Sequence, residues 1–203
     1  MISLDTPIII LHGLGNRAWT LIMLEWYLNW YGYTNVWRPL YNADVPPVVS
    51  STEVDSLLRI HLQDKVNQSV VFIGNSMGGL VGMEMHKFGW NIQLLITINS
   101  PLHGATLLHQ IDELLPSKLV EICGGNSRTY TYLRNVGARS VVPPHPYKTI
   151  STNLPFLPFD GMVYEREAML DPSHHTAIPW GMHHTVVLDP RIYWSLLSIL
   201  QSE

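Results

Sequence analysis

The passage from residue 69 to residue 82 constrains the fold of this chain more than any other. A β-branched and apolar run, Val70-Val71-Phe72-Ile73, leads directly into Gly74-Asn75-Ser76-Met77-Gly78, and a helical pattern follows to about Phe88. A strand that becomes a helix within so few residues must bend sharply. Neighbouring side chains at such a bend must be small, so glycines at 74 and 78 fit where a Cβ would clash. The same bend pushes the central hydroxyl into the open beyond the strand's end. Ser76 is therefore the candidate nucleophile. The rest of the chain is read for what that serine needs: a base, an acid to orient the base, and donors for an oxyanion.

Short apolar runs recur on either side of this bend. Residues 7–11 form a continuous run of the kind buried on both faces in a parallel sheet. They end at His12-Gly13-Leu14-Gly15-Asn16-Arg17, and a helical pattern continues to about Trp30, with Asn16 as its expected N-cap. Gly32 breaks it. Residues 34–38 read as a second strand, and Pro39, Pro46 and Pro47 as a loop. Ser50-Ser51-Thr52-Glu53 is expected to open a helix that carries Val54, Leu57, Leu58, His61 and Leu62 on one face. Strands are also expected at 70–73, 92–98, 147–152 and 177–180. Asp189-Pro190-Arg191 should open a C-terminal helix, since proline suits the first helical position. Residues 105–140 give a weak signal and are expected to be an insertion over the sheet's carboxyl edge, placed to act as a lid.

Strands alternating with helices give an α/β protein: a mostly parallel sheet of about six strands, with helices on both faces. Ligands of such sheets sit beyond the carboxyl ends of the strands. His12, Ser76, the loop after Ser100 and Asp160 all follow strand ends, so they should converge on one rim.

At 203 residues the chain is expected to form a single domain, 1–203. A formal net charge of −4 argues against a nucleic-acid partner, which calls for a basic face. The single cysteine, Cys123, allows no intrachain disulfide, reads as an inert small residue and fits a reducing compartment. No secretory signal and no apolar run of roughly 18 residues is visible. Localisation stays open, with the cytoplasm favoured. Residues 19–33 are rich in tryptophan, tyrosine and leucine. They read as a helix packed on the sheet, or as an exposed aromatic edge that meets lipid or oily substrate.

Taken together, the turn at 74–78, His12-Gly13 after the first strand and Ser100-Pro101-Leu102-His103-Gly104 after the fourth resemble the α/β-hydrolase superfamily. The likeness is to its small lipases and esterases, and it covers nearly the whole chain outside 105–140. It implies an α/β-hydrolase fold and the chain order serine, then carboxylate, then histidine. Gly181-Met182-His183, followed by Val186-Val187-Leu188-Asp189-Pro190, resembles the histidine loop of those lipases, with His183 as base and His184 as its competitor. Asp160, in Phe159-Asp160-Gly161-Met162-Val163, has the family acid's setting. Asp171, read as a turn, and Asp189, read as a helix cap, compete with it. By the same resemblance the backbone N–H groups of Leu14 and Met77 face the oxyanion.

Other polar residues have plainer readings. His12 and His103 should brace loops, and Glu84 should be solvated or paired. His174 and His175 should lie on a surface loop, and no supporting motif makes the late histidines a metal site. Gly13-Leu14-Gly15-Asn16-Arg17-Ala18 also matches a dinucleotide fingerprint, and Arg38 stands where it could meet a 2′-phosphate. That reading leaves Ser76, Asp160 and His183 unexplained.

The resemblance implies hydrolysis of carboxylic esters through an acyl-Ser76 intermediate, with no cofactor or metal. Its substrate would be a small acyl ester or a lipid, met with transient contact at a lipid interface. Thioesterase or acyltransferase activity would use the same triad, and a non-catalytic binding module would use the same fold. Oligomeric state is left open.

Overall fold

A computed structural model describes residues 1–15, 18–63, 65, 67–107, 143–183 and 185–203. Asn16, Cys123, His184 and residues 108–140 of the expected insertion lie outside the described residues. Among the described residues six strands form one parallel sheet: β1 (Ile8–Leu11), β2 (Val36–Trp37), β3 (Ser69–Asn75), β4 (Asn91–Ile98), β5 (Tyr147–Asn153) and β6 (His175–Pro179). Their order is β2-β1-β3-β4-β5-β6. Among the described residues five helices accompany them: α1 (Ile22–Trp30), α2 (Pro47–His61), α3 (Met77–Glu84), α4 (Glu165–Ala168) and α5 (Pro190–Ser202).

Side chains alternate along a strand, so each central strand feeds two cores. Ile8, Ile10, Val71, Ile73, Leu94 and Ile96 pack on one face with Leu24 and Leu28 of α1 and Ile192, Leu196 and Leu200 of α5. Ile9, Leu11, Val70, Phe72 and Leu95 pack on the other with Val54 and Leu58 of α2 and Val81 of α3. Fully burying each such side chain is worth about 1.5–3 kcal/mol. That is why an unbroken apolar run, rather than an alternating one, marks β1.

The sheet order also creates the crevice. β2 lies on one side of β1 and β3 on the other, so the connections leaving β1 and β3 diverge at the carboxyl edge. The loop carrying His12 to Leu14 and the turn carrying Ser76 sit at that point.

Three expectations need correction. First, α2 opens at Pro47, three residues before Ser50, because a proline at the first helical position has no N–H to leave unpaired. Second, β2 is only two residues long: it pairs with β1 through Ile8 and Ile9 alone, on the sheet's edge. Third, β6 begins at His175 rather than 177, so His175 belongs to a strand and not to a surface loop. The helical pattern after the first loop divides into a 3-10 turn, Ala18–Leu21, and α1. At the other end Asp189 caps α5, accepting the Arg191 N–H at 2.9 Å.

Candidate active site

β3 ends in a turn that only certain residues can occupy. Ser76 has φ 53° and ψ −123°, a region costly for any side chain. The strain is held from both sides: the Ser76 N–H donates to Ile98 of β4 at 2.7 Å, and its carbonyl accepts from Gly79 at 3.0 Å. A Cβ at Gly74 would lie 2.4 Å from the Gly79 nitrogen, and one at Gly78 would lie 2.2 Å from the Leu11 carbonyl oxygen. Both neighbours are backbone and cannot step aside. The two glycines thus let α3 start directly against the end of β1, and the serine between them is left partly exposed.

Two loops far along the chain reach this serine. Asp160 lies after β5 and is almost fully buried. Its Oδ1 accepts the N–H groups of Met162 at 2.9 Å and Val163 at 2.7 Å. Its Oδ2 accepts the Nδ1–H of His183 at 2.6 Å, and the His183 N–H donates to the Asp160 carbonyl at 2.9 Å. A carboxylate can only accept, so the proton is on Nδ1 and Nε2 is left as an acceptor. Nε2 stands 2.9 Å from the Ser76 hydroxyl. Ser76, Asp160 and His183 therefore form one hydrogen-bonded chain.

The loop after β1 closes the other side. A Cβ on Gly13 would fall 2.8 Å from the Cβ of Ser76. Leu14 follows, half-buried, while Met77 is buried as the first residue of α3. His12 is buried and braces this loop. Its Nδ1 donates to the Gly13 carbonyl at 3.1 Å, and burial lowers its pKa, which keeps the ring neutral.

Residues 51–138, which take in β3, the turn and β4, match the family described as the PGAP1-like alpha/beta domain. The mature form of the Bacillus licheniformis lipase BlEst2 superposes with a TM-score of 0.78 at 17% identity, covering 98% of this chain and 94% of that one. The chain has the α/β-hydrolase fold. A thermophilic esterase from Thermogutta terrifontis, solved with malate bound, shares this hydrolase architecture with a TM-score of 0.69 at 12% identity, over 99% of this chain and 91% of that one. The phospholipase PlaB from Legionella pneumophila does so with a TM-score of 0.68 at 12% identity, over 95% of this chain and 58% of that one. No curated protein matches the sequence.

Within this hydrolase fold several residues support the site without any motif to announce them. Tyr41, in the loop between β2 and α2, donates its hydroxyl to the His12 carbonyl at 2.5 Å and stacks on the His12 ring. Asn99, at φ 48° beyond β4, donates to Thr152 Oγ1 at 2.8 Å and accepts the Thr152 N–H at 2.7 Å. Gly181 then passes so close to Thr152 that a Cβ would lie 2.5 Å from the threonine's own. The loop bearing His183 is thereby seated on the end of β5. The sequence signal for these contacts is slight: an asparagine and a glycine, each beside a strand end.

The remaining candidates fall elsewhere. His103 donates through Nε2 to the Met169 carbonyl at 2.9 Å, a loop brace. Glu84 pairs with Lys87. Asp171 accepts from Ser173 in a turn. Arg38 is engaged by Glu25 and, at 2.5 Å, by the Ala18 carbonyl, so its guanidinium is committed to the protein. Among the described residues no group of three or more His, Cys, Asp or Glu side chains could hold a metal ion.

The aromatic segment divides by face. Leu21, Leu24 and Leu28 are buried, while Trp19, Met23, Trp26 and Trp30 lie exposed, Trp30 at 85%. Spacings of four, three and four residues put those four on one side of the turn and helix. Among the described residues no helix is long and apolar enough to cross a membrane.

Proposed function

We propose that the chain is a serine hydrolase that cleaves carboxylic acyl esters, of the lipase and esterase kind, through an acyl-Ser76 intermediate. The observation that carries this reading is the hydrogen-bonded chain from Asp160 through His183 to a strained, accessible Ser76. The lipases and esterases that share the fold support it. Residues 1–203 are read as one hydrolase domain.

The chemistry follows from the positions of the atoms. His183 Nε2 takes the serine proton as Oγ attacks the ester carbonyl. The imidazolium that forms is stabilised by Asp160, whose other oxygen is already held by two amides. Negative charge gathers on the former carbonyl oxygen, where the N–H groups of Leu14 and Met77 receive it at the N-terminus of α3. Each such donor is worth about 2.7–4 kcal/mol of transition-state stabilisation. Collapse of the adduct expels the alcohol, which takes the proton from His183. Water then enters by the same route in reverse and frees the acid.

The uncharged tryptophan face beginning at Trp19 extends the reading to substrates met at a lipid surface, since tryptophan favours the boundary between water and apolar phases. A fluorophosphonate probe should label the protein at Ser76, and p-nitrophenyl esters should be hydrolysed. Absence of both sinks the proposal. A Trp26→Ser, Trp30→Ser double variant should lose at least about fivefold in rate on long-chain esters presented as aggregates and keep its rate on dissolved short-chain esters. Equal loss on both would remove the lipid-surface part alone.

A further inference from the structure

We propose that Tyr41 is a positioning residue: acting through His12, it aims the Leu14 N–H at the oxyanion, an inference that rests on the hydrolase reading above. Two hydrogen bonds carry the argument. The Tyr41 hydroxyl donates to the His12 carbonyl at 2.5 Å. His12 Nδ1 donates to the carbonyl of Gly13 at 3.1 Å. A peptide unit is planar and trans, so the Gly13 carbonyl and the Leu14 N–H point in opposite directions from one rigid plate. Whatever holds the carbonyl also aims the N–H.

The plate needs such support. Gly13 lacks the side chain that would restrict its backbone, and Gly15 sits at φ +66° just beyond Leu14. His12 supplies the support only if its own ring is fixed in orientation and tautomer. Tyr41 fixes the orientation by stacking at 4.3 Å with the rings 23° apart. Burial lowers the pKa of the imidazole and favours its neutral form, and the Gly13 carbonyl facing Nδ1 can only accept. The proton therefore belongs on Nδ1, the nitrogen that the Gly13 bond requires. The Tyr41 phenol is pushed far up by burial, with the charge of Glu53 adding to it, so it remains an O–H donor.

Tyr41 is itself held from behind. The next residue, Asn42, donates its N–H to Glu53 Oε2 at 2.9 Å, and its carbonyl accepts the Ser50 hydroxyl at 2.8 Å. Both partners lie on α2. A continuous path thus runs from the helix through Tyr41 and His12 to the Leu14 amide.

The test uses Tyr41→Phe, which keeps the ring and removes only the hydroxyl. Trp90→Phe is the matched control, because it deletes another buried donor, the indole N–H on Asp55, outside the site. Tyr41→Phe should lower kcat on a p-nitrophenyl ester about ten- to a hundredfold with KM unchanged. It should weaken binding of a boronic-acid transition-state analogue by the same factor. Trp90→Phe should lower Tm and leave kcat within twofold. His12→Phe, which keeps a ring to stack and removes the Nδ1–H, serves if Tyr41→Phe does not fold and should show the same loss confined to kcat. A Tyr41→Phe or His12→Phe protein whose kcat and analogue affinity both stay within twofold of wild type overturns the proposal. A wild-type protein with neither ester turnover nor Ser76 labelling overturns the hydrolase reading and this inference with it.

Discussion

At two places among the described residues a histidine ring nitrogen is hydrogen-bonded to a serine hydroxyl with a carboxylate close by. At the carboxyl edge, His183 bridges Asp160 at 2.6 Å and Ser76 at 2.9 Å through opposite ring nitrogens. At the seam between β5 and β6, His175 bonds Ser151 through Nε2 at 3.0 Å and Thr149 through Nδ1 at 2.7 Å, with Glu165 4.0 Å from that same Nε2. The residue types match, but the chemistry does not. Ser76 stands on a strained turn and is reachable. Ser151 lies in the middle of a regular strand and is 2% exposed. Asp160 holds the nitrogen opposite the serine, so it can stabilise charge as the serine's proton arrives. Glu165 approaches the serine's own nitrogen and fixes no tautomer for it. Under the proposed function, backbone placement is what separates a reactive constellation from a structural one.

Replacing each serine breaks the comparison most sharply. Ser76→Ala should lower kcat on p-nitrophenyl esters by about 10⁴-fold or more and abolish fluorophosphonate labelling. Ser151→Ala should leave kcat/KM within about twofold and cost about 1–2 kcal/mol in urea unfolding, because it strands a buried imidazole nitrogen. Labelling of Ser151, or full activity in Ser76→Ala, would reverse the assignment.

The carboxylates come next. Asp160→Asn keeps the shape but offers an amide where His183 needs an acceptor, so kcat should fall about 10³–10⁴-fold while the fold persists. Glu165→Gln should change kcat by less than about threefold. Its partner Asn153 donates to Glu165 at 2.5 Å, and a glutamine oxygen can still accept that bond. A larger loss in Glu165→Gln would mean that the β5–β6 seam is coupled to the site.

The two clusters also differ in how far the sequence discloses them. The turn at 74–78 could be read directly, because backbone sterics within five residues set it: Gly74 and Gly78 have no room for a Cβ. The fold class could be read from runs buried on both faces, such as residues 8–11. His175 was misread because a histidine beside Asp171-Pro172 looks like part of a turn, whereas pairing with Thr149 draws it into a strand. Pro47 was misread because its role at a helix start looks like loop chemistry until the helix is seen. Tyr41 and Thr152 escaped altogether. Their partners His12 and Asn99 lie 29 and 53 residues away, and no local pattern encodes a contact that only the folded sheet creates.

The smallest expected effect concerns pH and the seam histidine. Burial is the main influence on His175 and lowers its pKa below the ordinary 6.5, with Glu165 pulling weakly the other way. The folded protein therefore holds the ring neutral under conditions where the unfolded chain takes up a proton. His175 then contributes its full stability above about pH 6.5. The contribution falls as pH drops from there to the folded value and is level below it, once both states are protonated. His12, also lowered by burial, acts in the same direction. Tm should accordingly decline as the protein is taken from pH 7.5 to about pH 5. His175→Gln retains a side-chain amide for Ser151 but cannot titrate in this range, so its Tm should fall less over the same interval. The wild-type and variant curves should converge on the acid side. If the two decline in parallel, His175 is not the group responsible.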